Sequence, residues 1–173
     1  MTYADVIKYQ LTKIFFMDTI IANRQTTSAS TDFLPLQGTD FIEFYVGNAK
    51  QAAHFYKSAF GFQSLAYAGP ETGIRDKASY AVRQNKATFV FTTPLRSNNK
   101  IAEHIYTHGD GVKALALRVD DATDAWAQTT ARGGTSCMKP ITLHDEYGEV
   151  VVSGIRAYGD TVHLFVERKN YDG

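Results

Sequence analysis

The run Phe41-Ile42-Glu43-Phe44-Tyr45-Val46-Gly47-Asn48-Ala49-Lys50-Gln51-Ala52-Ala53-His54-Phe55-Tyr56-Lys57-Ser58-Ala59-Phe60-Gly61-Phe62 changes its hydrophobic period in the middle. Up to Val46 it is a short extended run of β-branched and aromatic residues. Beyond Asn48, Ala49, Ala52, Ala53, Tyr56 and Phe60 recur at helical spacing. The switch falls at Gly47-Asn48, where Gly47 permits a sharp turn and Asn48 can accept a hydrogen bond from a free N–H of the first helical turn. Gly61 follows the last apolar turn, where a left-handed residue ends a helix. The run therefore predicts strand, tight turn, helix, stop.

Downstream, Ser64–Ala68 reads as a short strand ended by Gly69-Pro70. Ala78–Arg83 and Ala87–Thr92, joined by Gln84-Asn85-Lys86, read as a hairpin. Arg96–Lys100 is a polar loop, and Ile101–His108 a short helix halted by Gly109-Asp110-Gly111. The same order then repeats: strand Ala114–Val119, helix Ala122–Arg132 stopped by Gly133-Gly134, and strands Cys137–Pro140, Val150–Ala157 and Val162–Arg168. A period of about seventy residues is too long for a solenoid and suits two halves that pair. Each half alone would leave one sheet face wet, so the two should curl around a shared interior. The expected fold class is α+β: two βαβββ units, about 40–94 and 112–169, in a curved, mostly antiparallel half-barrel spanning 32–173. Ahead of it, Ile7, Leu11, Ile14 and Phe15 mark an N-terminal helix over Tyr3–Ile21, expected to pack on the main body or on a partner chain, and Gln25–Thr31 a polar linker, so that 1–31 is an N-terminal helix and linker.

With 173 residues, one domain can bury a sizeable core without disulfides. The single Cys137 excludes an intramolecular disulfide and fits a reducing compartment. Eighteen basic and eighteen acidic side chains cancel, so no long-range field favours nucleic acid or a membrane surface. The run Ile14-Phe15-Phe16-Met17, broken by Asp18, is too short to span a bilayer. The expectation is a soluble, cytoplasmic protein with no nucleic-acid or membrane partner.

A duplicated βαβββ unit resembles the vicinal-oxygen-chelate, or glyoxalase, superfamily. Phe44–Tyr56, Leu65–Gly73, His108–Lys113, Tyr158–Thr161 and Val166–Tyr171 are similar, in one register over Asp32–Gly173, to the N-terminal domain of the 4-hydroxyphenylpyruvate dioxygenase family. The resemblance implies an iron(II) enzyme of tyrosine catabolism that converts 4-hydroxyphenylpyruvate and dioxygen to homogentisate and carbon dioxide. The family's chain is about twice as long, with iron and substrate in a second domain. It further implies a missing C-terminal catalytic domain as partner, and a homo-oligomer such as a dimer. Carried onto the repeat, the family's two His ligands and one Glu ligand fall on Phe44, Ala114 and Phe165, none of which can donate to a metal. The sequence thus assigns no catalytic, cofactor-binding or metal residue, and no cofactor in this chain; Fe(II) belongs to the full-length family.

Other residues compete for a role. His104 and His108, four apart on one helix face with Glu103 beside them, have zinc-ligand spacing, but a third ligand has no assigned place, and the plain reading is a polar helix end. His163 and Glu167 share a strand face with Phe165 and read as a hydrogen-bonded pair at a barrel rim. His54 and His144 read as surface residues, with His144-Asp145-Glu146 in a loop. Cys137 reads as a buried structural thiol with no cationic run near it, and Trp126 as packing. Lys50 and Arg75 read as solvated, and no G-x-G-x-x-G surrounds Gly47-Asn48. Besides a non-catalytic domain of the dioxygenase, two further readings stand. One is a free-standing binding module whose cavity is lined by Phe44, Phe89, Phe91 and Phe165; the other is a metal enzyme whose site forms between two chains.

Overall fold

The computed structural model describes residues 32–172. The expected helix Tyr3–Ile21 and linker Gln25–Thr31 lie outside them. The first unit contains β1 (Leu36–Tyr45), α1 (Ala49–Phe60), β2 (Gln63–Ala68), β3 (Lys77–Gln84) and β4 (Ala87–Pro94). Helix α2 (Lys100–His108) leads to the second, which contains β5 (Gly111–Val119), α3 (Ala122–Ala131), β6 (Ser136–Asp145), β7 (Gly148–Arg156) and β8 (Val162–Tyr171). Among the described residues no helix is long and apolar enough to cross a membrane.

The helices begin where the sequence supplies caps. Asn48 Oδ1 accepts from the Gln51 N–H at 3.0 Å, and Gly61, at φ 75°, returns its own N–H to the Tyr56 carbonyl. Asn99 caps α2 through the Ala102 N–H at 2.8 Å, and Asp121 caps α3 through Thr123 and Asp124.

The strands form one curved sheet in the order β2-β3-β4-β1-β5-β8-β7-β6. Strand β1 runs parallel to β4, and β5 to β8; the other neighbours are antiparallel. The units meet at β1 and β5, where Glu43 lies opposite Ala114 and Ala114 in turn opposite Val162.

Period-two alternation gives each strand an inner and a helix-facing side. The shared interior holds Phe41, Ala81 and Val90 from the first unit and Ala114, Ala116, Val150, Val152, Val162, Leu164 and Val166 from the second. Under α1 lie Val46, Phe62, Val82 and Phe91, with Phe44, Tyr56 and Phe89 around them. Under α3, Val119, Ala122, Ala125 and Phe165 form the matching cluster.

This alternation corrects the expected ligand slots. Ala114 does face the interior, but Phe44 and Phe165 are one residue out of phase and point beneath the helices. Phe44 and Phe91 likewise pack as core beneath α1, and Phe89, which also borders a half-open cavity of about 500 Å³ beside Asp40, Arg83 and Arg118, joins them there. Phe44 stacks on Phe91 at 5.3 Å and Phe89 on Phe62 at 5.0 Å, so the rings fill the space below α1.

Strand β6 is longer than expected. It continues through Pro140 to Asp145, placing His144 in the ladder opposite Glu149 rather than in a loop. An edge strand tolerates Pro140 because its missing N–H is not needed by a further neighbour, and a register shift between Met138 and Ile141 absorbs the irregularity.

Candidate functional site

At the end of the sheet where β1 finishes and β5 begins, α2 covers a half-open cavity of about 890 Å³. Tyr45, Lys77, His104, His108, Lys113, Cys137, Arg156 and Asp160 are on its wall. Helical spacing puts His104 and His108 on one side of α2, their rings 4.6 Å apart. Tyr45, at the inner end of β1, meets the His104 ring edge-on at 5.3 Å. The turn between β7 and β8 carries Asp160, whose Oδ2 lies 2.8 Å from His108 Nε2. Lys113 Nζ donates to the Asp160 carbonyl.

The electrostatics follow from this arrangement. Desolvation, then the Lys113 cation and His108, lowers the pKa of His104 and favours its neutral imidazole. The hydrogen bond from His108 holds the Asp160 carboxyl below the usual carboxylate range. Desolvation likewise lowers the pKa of Lys113, against the pull of Asp160 and Glu43. Among the described residues, His104, His108 and Asp160 form the one group of three potential ligand side chains with their donor atoms within 4.8 Å of one another. The sequence identified the two histidines; it missed Asp160, whose signal is positional and appears only once β8 is laid beside β5.

Deeper inside, Glu43 is buried and accepts from Thr92 Oγ1 at 2.8 Å, and Ser79 Oγ lies 2.9 Å from the same hydroxyl. The central interior row is therefore Glu43, Ala114 and Val162: one carboxylate beside two aliphatic side chains. A centre of two His and one carboxylate does not fit there, since only one of the three positions can donate.

The remaining candidates separate. His163 and Glu167 are not a pair, because four residues of strand span about 13 Å. Glu167 instead accepts from the Ala122 N–H at 3.0 Å beneath α3, while His163 Nδ1 is buried without a partner among the described residues. Cys137 is exposed rather than buried, because β6 is an edge strand and its register shifts just there. Two cations remote in sequence approach it in space: Arg156 and Lys113 pull its thiol pKa down, yet partial desolvation outweighs them and leaves it raised. Trp126 is half-buried and donates to Ser136 Oγ at 2.9 Å. His54, His144, Lys50 and Arg75 are all exposed.

Comparison with known proteins places this geometry in a lineage. The family described as hydroxyphenylpyruvate dioxygenase (HPPD), N-terminal, matches residues 31–173. The 4-hydroxyphenylpyruvate dioxygenase of Dictyostelium discoideum is 43% identical over 140 residues, which is 80% of this chain and 38% of that one. That of Danio rerio is 46% identical over 127 residues, covering 73% and 32%. The chain thus spans well under half the length of these relatives. Among solved structures, a triple mutant of 4-hydroxymandelate synthase from Streptomyces coelicolor superposes with a TM-score of 0.73 at 27% identity, over 80% of this chain and 40% of that one. Methylmalonyl-CoA epimerase from Mycobacterium tuberculosis gives 0.62 at 17% identity over 81% and 92%, a likeness of fold alone. A family match over all the described residues, with relatives above 40% identity, means that this chain belongs to the hydroxyphenylpyruvate dioxygenase family, in the part that forms its N-terminal domain.

Proposed function

We propose that the chain serves, in the cytoplasm, as the non-catalytic N-terminal half of a 4-hydroxyphenylpyruvate dioxygenase, the iron(II) enzyme that forms homogentisate in tyrosine catabolism. Its task is support: packing against the catalytic half and contributing to contacts between subunits. The observation that carries this reading is the interior row Glu43, Ala114, Val162, where the repeat would need three metal ligands and offers one. Phe55 and Phe60, both exposed on α1 with rings 5.7 Å apart, supply an apolar surface for a neighbouring domain or subunit. The test is oxygen uptake by the purified chain supplied with iron(II), ascorbate and 4-hydroxyphenylpyruvate. The rate should equal that of the same mixture without protein, and homogentisate formed above that background overturns the reading.

One observation favours a second reading, a small-molecule binding module. A cavity of about 890 Å³ lies within the range of ligand sites, and Lys113 and Arg156 on its wall offer positive charge to an anionic ligand. Native mass spectrometry of the freshly purified chain distinguishes the two, since a retained small anion supports binding and bare protein supports the structural role.

A further inference from the structure

We propose that His104, His108 and Asp160 form a binding site for a divalent transition metal, with zinc(II) as its best-fitting occupant, at the mouth of the cavity beneath α2. This site is separate from the interior row of Glu43, Ala114 and Val162, and it does not depend on whether the chain is catalytic.

The donor set argues for the class of metal. Two imidazole nitrogens and one carboxylate suit zinc and its first-row neighbours, whereas magnesium and calcium prefer oxygen alone. Three protein ligands leave the fourth tetrahedral position open toward the cavity. Geometry argues for reach: donor atoms of all three side chains lie within 4.8 Å of one another. Zinc bond lengths of about 2.0–2.2 Å require ligand atoms roughly 3.3 Å apart, so a gap of about 1.5 Å must close. His104 is half-buried, and His108 and Asp160 are exposed, so side-chain rotation closes it without moving the core. The backbone already fixes both sources, the last two turns of α2 and the turn ahead of β8, and the 2.8 Å contact between His108 and Asp160 aims the carboxylate at the imidazole. Metal binding exchanges that one hydrogen bond for three coordinate bonds. Lys113, bonded to the Asp160 carbonyl, is the opposing charge and moderates the affinity.

The test uses the full chain, purified without a polyhistidine tag and stripped of metal. Titration with cobalt(II) should give the visible absorption of a tetrahedral centre, saturating at one equivalent, and zinc(II) should abolish it. His108→Ala and Asp160→Asn should each weaken zinc(II) about 100-fold or more in competition with a chelating dye, because losing a ligand exceeds the cost of losing its outer partner. His144→Ala, remote in the β6–β7 hairpin, should bind as the parent does. Asp160→Asn keeps the side-chain shape, so weaker binding by a variant of unchanged thermal midpoint reports ligation and not folding. No stoichiometric binding by the parent overturns the proposal, as does binding that survives His108→Ala combined with His104→Ala. Neither readout involves oxygen uptake, so this inference and the dioxygenase reading fail independently.

Discussion

Asp40 sits with no side-chain exposure between two guanidiniums. Its Oδ2 accepts from Arg118 Nε and Nη2 at 3.1 and 3.0 Å and from Arg168 Nε at 2.8 Å, and its Oδ1 accepts from Arg168 Nη2 at 2.8 Å. Burial pushes the carboxyl pKa up, but the hydrogen bonds and charges of Arg168 and Arg118 together outweigh it and leave it lowered. A folded-state pKa below the unfolded value contributes stability that is complete above about pH 4 and is lost as pH falls through the folded value. Asp40→Asn should therefore destabilise the chain by about 3 kcal/mol at pH 7, because it leaves the deeply placed Arg168 without its counter-charge. In urea melts the deficit should narrow at pH 3, where the unfolded parent takes up a proton that its folded state excludes; an equal deficit at both pH values contradicts this. None of it was legible in the sequence, since Asp40, Arg118 and Arg168 are 78 and 128 residues apart and no local pattern links them. The candidate site was legible by half for the same reason. Spacing along one helix exposed His104 and His108, whereas Asp160 lies 52 residues from His108.

At the scale of elements, what the sequence revealed is what local chemistry enforces. Helix α1 was readable end to end because its cap, apolar stripe and glycine stop all lie within the helix or next to it. Asn48→Ala should lower stability by about 1 kcal/mol, and Asn48→Asp should retain it, since either oxygen can accept from the first turn. Thermal melts of the two variants provide the check, and equal losses would place the effect outside the cap. Helix α3 carries a different kind of anchor. Both backbone groups of its first residue are held by the sheet, with Ser153 Oγ donating to the Ala122 carbonyl at 2.7 Å and the Ala122 N–H donating to Glu167. Those partners come from β7 and β8, so alternation alone suggested a pairing of Glu167 with His163 that strand length forbids. Strand β6 was underestimated because Pro140 is a stop signal in isolation and acceptable only on an edge strand, and edge position is a property of the whole sheet.

At the scale of the molecule, the duplication was legible because both units repeat the same change of period, but its phase was not. A one-residue error exchanges the inner and outer faces of a strand, and this displaced Phe44 and Phe165 from the interior to beneath the helices. The true interior has a testable consequence. Phe41, Ala81 and Val90 from one unit and Ala114, Ala116, Leu164 and Val166 from the other share one cluster, and the central pair β1 and β5 joins the units in a single sheet. Neither unit can open without exposing the apolar side of the other, so the two should unfold together. Trp126, the single tryptophan, lies on α3 in the second unit, whereas far-UV circular dichroism reports strands and helices of both. Denaturant curves from the two probes should coincide. The sharper test is Phe41→Ala, a cavity made in the first unit by removing a ring 1% exposed. It should cost about 3–5 kcal/mol and move the Trp126 transition as far as the dichroism transition, although the substitution and the probe lie in different repeats. A variant in which dichroism falls early while Trp126 keeps the parent's midpoint would show two halves that fold separately, and the shared interior would not be what holds this sheet together.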